Sequence, residues 1–364
     1  MRPLRLVPDG TTIQFMRGRF AGVITSAVLS IISVVLFFYP GLNLGVDFRG
    51  GIVHGRQAAA DPGRAGLGRA EDRAHPVLQP GSPGPHGAAA LEIAASRRRG
   101  IPADEGELWE ILRVDAERAA AGEEMLRGFL DLVVLRHDGF ASGLGLLLAH
   151  KLAEYSMPAE RLGEIARAAM AGDPAIIAAA IADLAAIRTR DPAAENYLKP
   201  FLYYKGFHAL QWHRIGYWLW RDGRRELAHF LQSRVSQVFA VDIHPAVPIG
   251  SGVFIDHGTG LVVGETAVIG DDVSILHEVT LGGTGKERGD RHPKVRDGVL
   301  LCAGAKVLGN VEIGRDAKVG AGSVVLHDVP PRATVAGVPA RIVGWSSGSV
   351  PALEMDQSLP DYEI

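Results

Sequence analysis

The chain has one cysteine, Cys302, in 364 residues. That excludes an intrachain disulfide framework and fits a reducing compartment. It also lacks a basic excess. With a formal net charge of −3 there is no global surplus to neutralise phosphates, so nucleic acid is not expected as a partner. No metal is expected either, because the 13 histidines do not fall at the clustered spacing zinc requires. Aromatic residues are absent between Val53 and Gly100, where half of the 48 residues are Ala, Gly or Pro. Such a composition makes a linker, expected to be disordered, and not a packed element. Charge is absent from Phe20 to Tyr39, 20 residues that would rise about 30 Å as a helix. Arg2, Arg5, Arg17 and Arg19 precede this run, which reads as a transmembrane helix with a cytoplasmic N-terminus. No A-x-A-like cleavage site follows it, which disfavours a signal peptide.

The sequence "MRPLRLVPDGTTIQFMRGRF", the apolar run and "GLNLGVDFRGG" together resemble the start of SecF, the smaller SecD/SecF export subunit. The further membrane helices of that family do not follow. The abrupt changes near residues 52 and 100 point to a chimeric chain, an export-subunit start joined to an unrelated sequence.

From Ile101 the pattern becomes helical. Leu108, Ile111 and Leu112, then Met125, Phe129, Leu132 and Val133, then Leu144, Leu147, Leu148 and Leu152 recur at helical spacing. "DPAIIAAAIADLAAIRTRDP" predicts a helix capped by Asp173, opened by Pro174 and ended before Pro192. The stretch from Phe207 to Phe239 predicts two amphipathic helices hinged near Gly223, with Trp212, Trp218 and Trp220 in the core.

The period then changes to six. Ile249, Ile255, Val263, Ile269, Ile275 and Leu281, and later Leu301, Val307, Ile313, Val319 and Val325, keep one register. A six-residue period marks a solenoid with one short strand and turn per unit and three units per triangular coil. The register breaks twice. Ile255 to Val263 holds two extra residues, and Leu281 to Leu301 holds 14 beyond one unit in a hydrophilic, Gly-rich excursion. Coil counting places Asp242 on the prism edge that carries the first insertion and His257.

The strings "RTRDPA", "YKGFHALQ", "VDIHPA", "IDHGTGLVVGETAVIGDDVSIL", "VTLGGTGK", "DRHPK", "GAGSVVL" and "VAGVPARIVG" resemble the serine O-acetyltransferase family of hexapeptide-repeat acyltransferases. One departure is Gly258, where Ala is common. The resemblance covers residues 101–364 and implies acetyl transfer from acetyl-CoA to the L-serine hydroxyl, without a metal. That chemistry needs a base near neutral pH, a task for a histidine. By the match His257 is the base and Asp242 its orienting partner. Asp191 and Asp256 would hold the serine ammonium, Arg291 its carboxylate, and His292 would be a further substrate contact. Gly283, Ala303 and Ala321 would admit the pantetheine arm, with Lys318 toward the CoA phosphates. The resemblance further implies trimers or hexamers, L-cysteine as feedback inhibitor, and docking of the terminal Ile364 into O-acetylserine sulfhydrylase. His244 and Cys302 are expected to be structural.

The expected organisation is thus α+β: an export-subunit-like start (1–52), a linker (53–100), an all-α domain (101–240), a left-handed parallel β-helix (241–345) and a flexible tail (346–364). The enzyme domain is expected in the cytoplasm, membrane-anchored if residues 20–39 are retained. Two alternatives remain at this point: a hexapeptide acetyltransferase with another acceptor, such as a sugar, or an export component of the membrane.

Overall fold

The computed structural model describes residues 28–30, 102, 104–286, 288–346, 348 and 350–359. The chain divides into two units, Met1–Leu78 and Gln79–Ile364. In the first, the described residues 28–30 are helical. The rest of the expected membrane span, the expected linker and Ile364 lie outside the described residues. Among the described residues no single helix is long and apolar enough to cross a membrane.

Among its described residues the second unit opens with eight α-helices. They are α1 (Glu105–Gly122), α2 (Glu124–Leu130), α3 (Phe140–Leu152), α4 (Ala159–Gly172), α5 (Ala175–Arg190), α6 (Leu198–Tyr203), α7 (Lys205–Arg221) and α8 (Arg225–Phe239). Asp104 caps α1, accepting from the Glu107 amide at 2.9 Å, and Leu108, Leu112 and Ala116 bury one face. The expected stripe through Met125 needs correction. A π-helical turn, Asp131–Leu135, follows α2 and widens the ladder, so Val133 and Val134 turn inward while Met125 is 88% exposed. α5 starts where Asp173 accepts from the Ala175 amide at 3.1 Å and stops at Asp191. Gly223, at φ +79°, separates α7 from α8 as expected. Trp212 is fully buried, and its indole N–H donates to the Leu148 carbonyl at 3.1 Å; Trp218 and Trp220 pack partly buried against the same core.

The strands that follow are two to five residues long. They are β1 (Val241–Ile243), β2 (Phe254–Ile255), β3 (Leu261–Val263), β4 (Val268–Ile269), β5 (Ser274–Ile275), β6 (Thr280–Gly282), β7 (Lys294–Val295), β8 (Leu300–Leu301), β9 (Lys306–Leu308), β10 (Glu312–Ile313), β11 (Lys318–Val319), β12 (Val324–Val325), β13 (Ala333–Ala336) and β14 (Arg341–Trp345). They form three sheets, ordered β1-β3-β6-β9-β12, β4-β7-β10 and β2-β5-β8-β11-β13-β14, parallel throughout except the β13–β14 pair. From β2 to β12 the chain visits the three sheets in strict rotation, which is the left-handed β-helix the period of six requires. Every aliphatic repeat position from Ile255 to Val325 named above is at most 3% exposed, so the prism is filled by one continuous apolar column.

One repeat position escaped the sequence reading. Val295 in β7 pairs with Ile269 and Ile313 and is buried. The excursion from the prism therefore runs from Gly283 to Pro293, and residues from Lys294 on have rejoined the coil. Polar neighbours in "HPKVRDG" hide Val295 from a hydropathy pattern.

Two ion pairs, the first buried on both sides and the second with a buried arginine and an exposed aspartate, fasten the helices to the first coils. Arg214 of α7 binds Asp183 of α5 at 2.8 Å and donates to the Gly250 carbonyl at 2.7 Å, while Asp183 accepts from the Val253 amide at 2.8 Å. Arg190, at the end of α5, reaches Asp272 at 2.7 Å and the Ser274 hydroxyl at 3.1 Å. Each charge is compensated by several donors or acceptors, the condition under which buried ions are tolerated.

Candidate active site

The prism has three edges, and the candidate residues occupy two of them. A first edge follows the sheet that begins with β2 and carries residues 256–260, 276–279, 302–305 and 320–323. A second edge follows the sheet that begins with β1 and carries residues 244–248, 264–267, 283–293, 309–311 and 326–328.

On the first edge, His257 stands 76% exposed with its Nε2 3.8 Å from the Asp256 carboxylate. Its φ of +56° belongs to the winding of the coil, since Asp272, Glu278 and Asp316 adopt the same value within a few degrees at other corners. The helical domain reaches this edge at the start of α7. A Cβ on Gly206 would lie 2.1 Å from the Ile255 carbonyl oxygen, so only glycine lets the helix approach so closely. The preceding Tyr204 donates its hydroxyl to Asp191 Oδ2 at 2.8 Å, and the other oxygen of Asp191 accepts from the Ala193 amide at 2.8 Å. Asp191, Tyr204, Asp256 and His257 thus form one electrostatic cluster. Burial raises the Asp256 carboxyl above the usual range, and the like charge of Asp191 adds to this, while His257 opposes it. Burial, reinforced by the bond to Asp191, also raises the Tyr204 hydroxyl, which stays a neutral donor. Two carboxylates beside an exposed imidazole can hold a cation next to a base.

The second edge carries a guanidinium and a second imidazole. Arg291, in the excursion, pairs with Glu265 at 2.8 Å and donates to the Gly289 carbonyl at 2.9 Å. His292 lies over Gly264, where a Cβ would meet its Nε2 at 2.1 Å. The Thr266 amide donates to His292 Nδ1 at 3.2 Å, which leaves the neutral ring its proton on Nε2. Burial and the adjacent Arg291 cation lower the His292 imidazolium, so the ring is neutral near pH 7. Gly283 opens the excursion on this edge.

Asp242 lies between the two edges, on β1 opposite Val262. Its Oδ1 accepts from Gln232 Nε2 of α8 at 2.8 Å, and among the described residues no hydrogen bond joins it to His257. His244 accepts the Ala246 amide at 3.2 Å and packs edge-on against Trp220 and His229, a structural placement as expected.

The chain is similar to known proteins. The family described as serine acetyltransferase, N-terminal, matches residues 108–212, and the bacterial transferase hexapeptide repeat matches residues 292–327. A serine acetyltransferase of Salmonella typhimurium is 57% identical over 258 residues, 71% of this chain and 94% of the relative. The chain belongs to the serine acetyltransferase family. The Escherichia coli K12 serine acetyltransferase is 56% identical over 250 residues, 69% of this chain and 92% of that protein. The crystal structure of the serine acetyltransferase from Vibrio cholerae superposes with a TM-score of 0.69 at 51% identity, covering 70% of this chain and 99% of that one. That of Brucella abortus serine acetyltransferase in complex with coenzyme A has a TM-score of 0.65 at 48% identity, covering 66% and 96%. The resemblance of residues 1–52 to the export subunit gains no support from these comparisons.

The remaining candidates lie along the first edge and the β11 strand beside it. Ala303 and Ala321 stack above His257 on successive coils. Lys318 is 7% exposed, and its ammonium donates to the carbonyls of Asp356 and Ser358 at 3.1 and 2.6 Å. The tail was expected to be flexible, yet α9 (Pro351–Glu354) and residues 355–359 lie on the prism, where the Ala352 carbonyl also accepts from Ser274 at 2.8 Å. Cys302 packs fully buried against Leu276 and Leu300, and burial pushes its thiol up to about 11, so it is an inert core thiol. Sequence reading missed Tyr204 as the partner of Asp191 and did not single out His277, whose ring stands 6.0 Å from that of His257. The string "YKGFHALQ" contained the first without exposing its bond to Asp191. His277 was signalled only by register, two residues past a repeat position as His257 is.

Proposed function

We propose that the chain transfers the acetyl group of acetyl-CoA to the hydroxyl of L-serine, giving O-acetyl-L-serine and CoA. Family membership at more than half identity over nearly the whole of the relatives supports the reaction. The observation that carries the site is the first-edge cluster, an exposed imidazole beside two carboxylates. His257 acts as general base on the serine hydroxyl, and Asp191 and Asp256 hold the ammonium with Tyr204 fixing Asp191. Arg291 offers a guanidinium fork to the serine carboxylate, and His292 a donor beside it. Asp242, held by Gln232, orients His257 and stabilises the imidazolium as it forms.

The anionic and cationic halves sit on different edges, separated by a strand of three residues, about 10 Å. We assign their union to a homotrimer, in which the first edge of one subunit faces the excursion of the next, and trimers pair into hexamers through the helices. Acetyl-CoA then lies between the facing edges, its pantetheine arm passing Ala303 and Ala321 of one subunit and Gly283 of the next. Lys318 meets the CoA phosphates only when the tail carbonyls release it. A solved serine acetyltransferase is a complex with cysteine, and another, from soybean, a complex with serine. L-cysteine is accordingly a feedback inhibitor at the serine site. Ile364 docks into O-acetylserine sulfhydrylase; deleting it abolishes co-purification, and unchanged binding would refute that contact. The enzyme works in the cytoplasm.

Thiol release from acetyl-CoA with L-serine tests the reaction. Serine-dependent release that His257→Ala removes is expected; no release from folded wild type would overturn the assignment.

A further inference from the structure

The register of the prism brings one unassigned histidine into the path of the acyl donor. Ile255 pairs with Ile275, Ile275 with Leu301, and Leu301 with Val319. The residues two positions beyond each therefore stack on the first edge: His257, His277, Ala303 and Ala321. The spacing along such a column is about 4.8 Å per coil. A pantetheine arm that follows the small residues Ala321 and Ala303 toward the base meets His277 before His257. Two coils supply the groove, the lowest supplies the base, and the thioester falls to the coil between them.

His277 has the features of a donor held ready there. Its ring is 6.0 Å from that of His257, edge-on at 78°. The ring is half-buried, and Nδ1 is enclosed without a hydrogen-bond partner. An enclosed nitrogen with no acceptor beside it is a poor place for a proton, so the neutral ring carries its hydrogen on Nε2. A buried orphan atom is a cost to folding that no packing role of a histidine at this corner requires.

Resting on the reading of the site given above, we propose that His277 is a catalytic residue that donates its Nε2–H to the carbonyl oxygen of the acetyl thioester. As the serine oxygen attacks the carbonyl carbon, its proton passes to His257 and the C=O electron pair moves onto oxygen. His277 stabilises that oxyanion. When the pair returns, the C–S bond breaks and the CoA sulfur takes the proton from His257. Hydrogen bonds aimed at the developing charge act in the transition state more than in the ground state, so their loss lowers kcat rather than raising KM.

The test uses the full chain, acetyl-CoA and L-serine. His277→Phe keeps a flat ring without a donor, and His277→Gln keeps an N–H donor; His277→Ala replaces the phenylalanine variant if that one does not fold. The donor-less variant is expected to lose kcat on the order of 10²-fold, with both KM values within about threefold, and the glutamine variant to recover most of it. Equal loss in the Gln and Phe variants would overturn the proposal. So would a raised KM for acetyl-CoA at unchanged kcat, the mark of a ground-state contact with the arm alone. Wild type that releases no CoA with serine refutes the parent reading instead, whereas active wild type with a fully active Phe variant refutes only the role of His277.

Discussion

The two functional edges of the prism are built by different means. The first is made by the coil itself, with a two-residue insertion and a glycine that admits α7, and its charge is anionic around an imidazole. The second is made by an excursion folded back onto the coil, where Thr266 and Glu265 hold His292 and Arg291. An edge that continues the winding inherits a rigid position, and an edge that adds a loop must fix its residues one at a time. In the proposed reading the base and the ammonium-holding Asp256 fall on the edge built by the coil, and the carboxylate-binding guanidinium on the added one.

Removing the base breaks the comparison most severely. His257→Ala should lower kcat by about 10²–10⁴-fold while the melting temperature stays put, because the side chain is exposed. Next comes the added edge. Arg291→Ala should raise the KM for serine by about 10- to 100-fold with a smaller effect on acetyl-CoA, the loss expected for a charge-assisted hydrogen bond. Gly264→Ala sharpens the same point without touching a charged group. The new methyl must displace the His292 ring, and a serine KM about tenfold higher with acetyl-CoA binding unchanged would show how the second edge is held. Measured values equal to wild type would mean that His292 does not contact the substrate.

The smallest effect lies in the helical domain, away from both edges. Burial lowers His208 and His213 to about 3. Their unfolded value is about 6.5, so below that pH the unfolded chain binds the extra protons and stability falls as the pH drops toward 3. Each contributes a slope of about 1.4 kcal/mol per pH unit in that window. Thermal melts of wild type, His208→Gln and His213→Gln between pH 7 and 5 should show a shallower decline in both variants. Parallel curves would contradict the burial account.

The contrast between the edges also marks how far the sequence could be read. The coil was legible because its period is enforced at every turn by an aliphatic residue in the prism, and His257 stood out as a break in that period. Val295 was not, since charged neighbours surround a single buried side chain. Residues 351–359 of the tail were misjudged because Lys318 and Ser274 bind them through backbone carbonyls, which any residue supplies. Tyr204 was invisible for another reason: its partner Asp191 is 13 residues away across a helix end, and only the fold brings them together. The resemblance supplied the roles of Arg291 and Asp191, while the separation of the two edges emerged only from the sheet order.

That separation carries the central claim, that one catalytic site takes its base from one subunit and its guanidinium from the next. Co-expressing full-length His257→Ala and Arg291→Ala chains and assaying serine-dependent CoA release tests it directly. Equal mixing in a trimer should restore about a quarter of the wild-type rate, the share of neighbouring pairs that unite an intact base with an intact guanidinium. Activity no higher than that of the two variants assayed separately, in trimers shown to contain both chains, would contradict it.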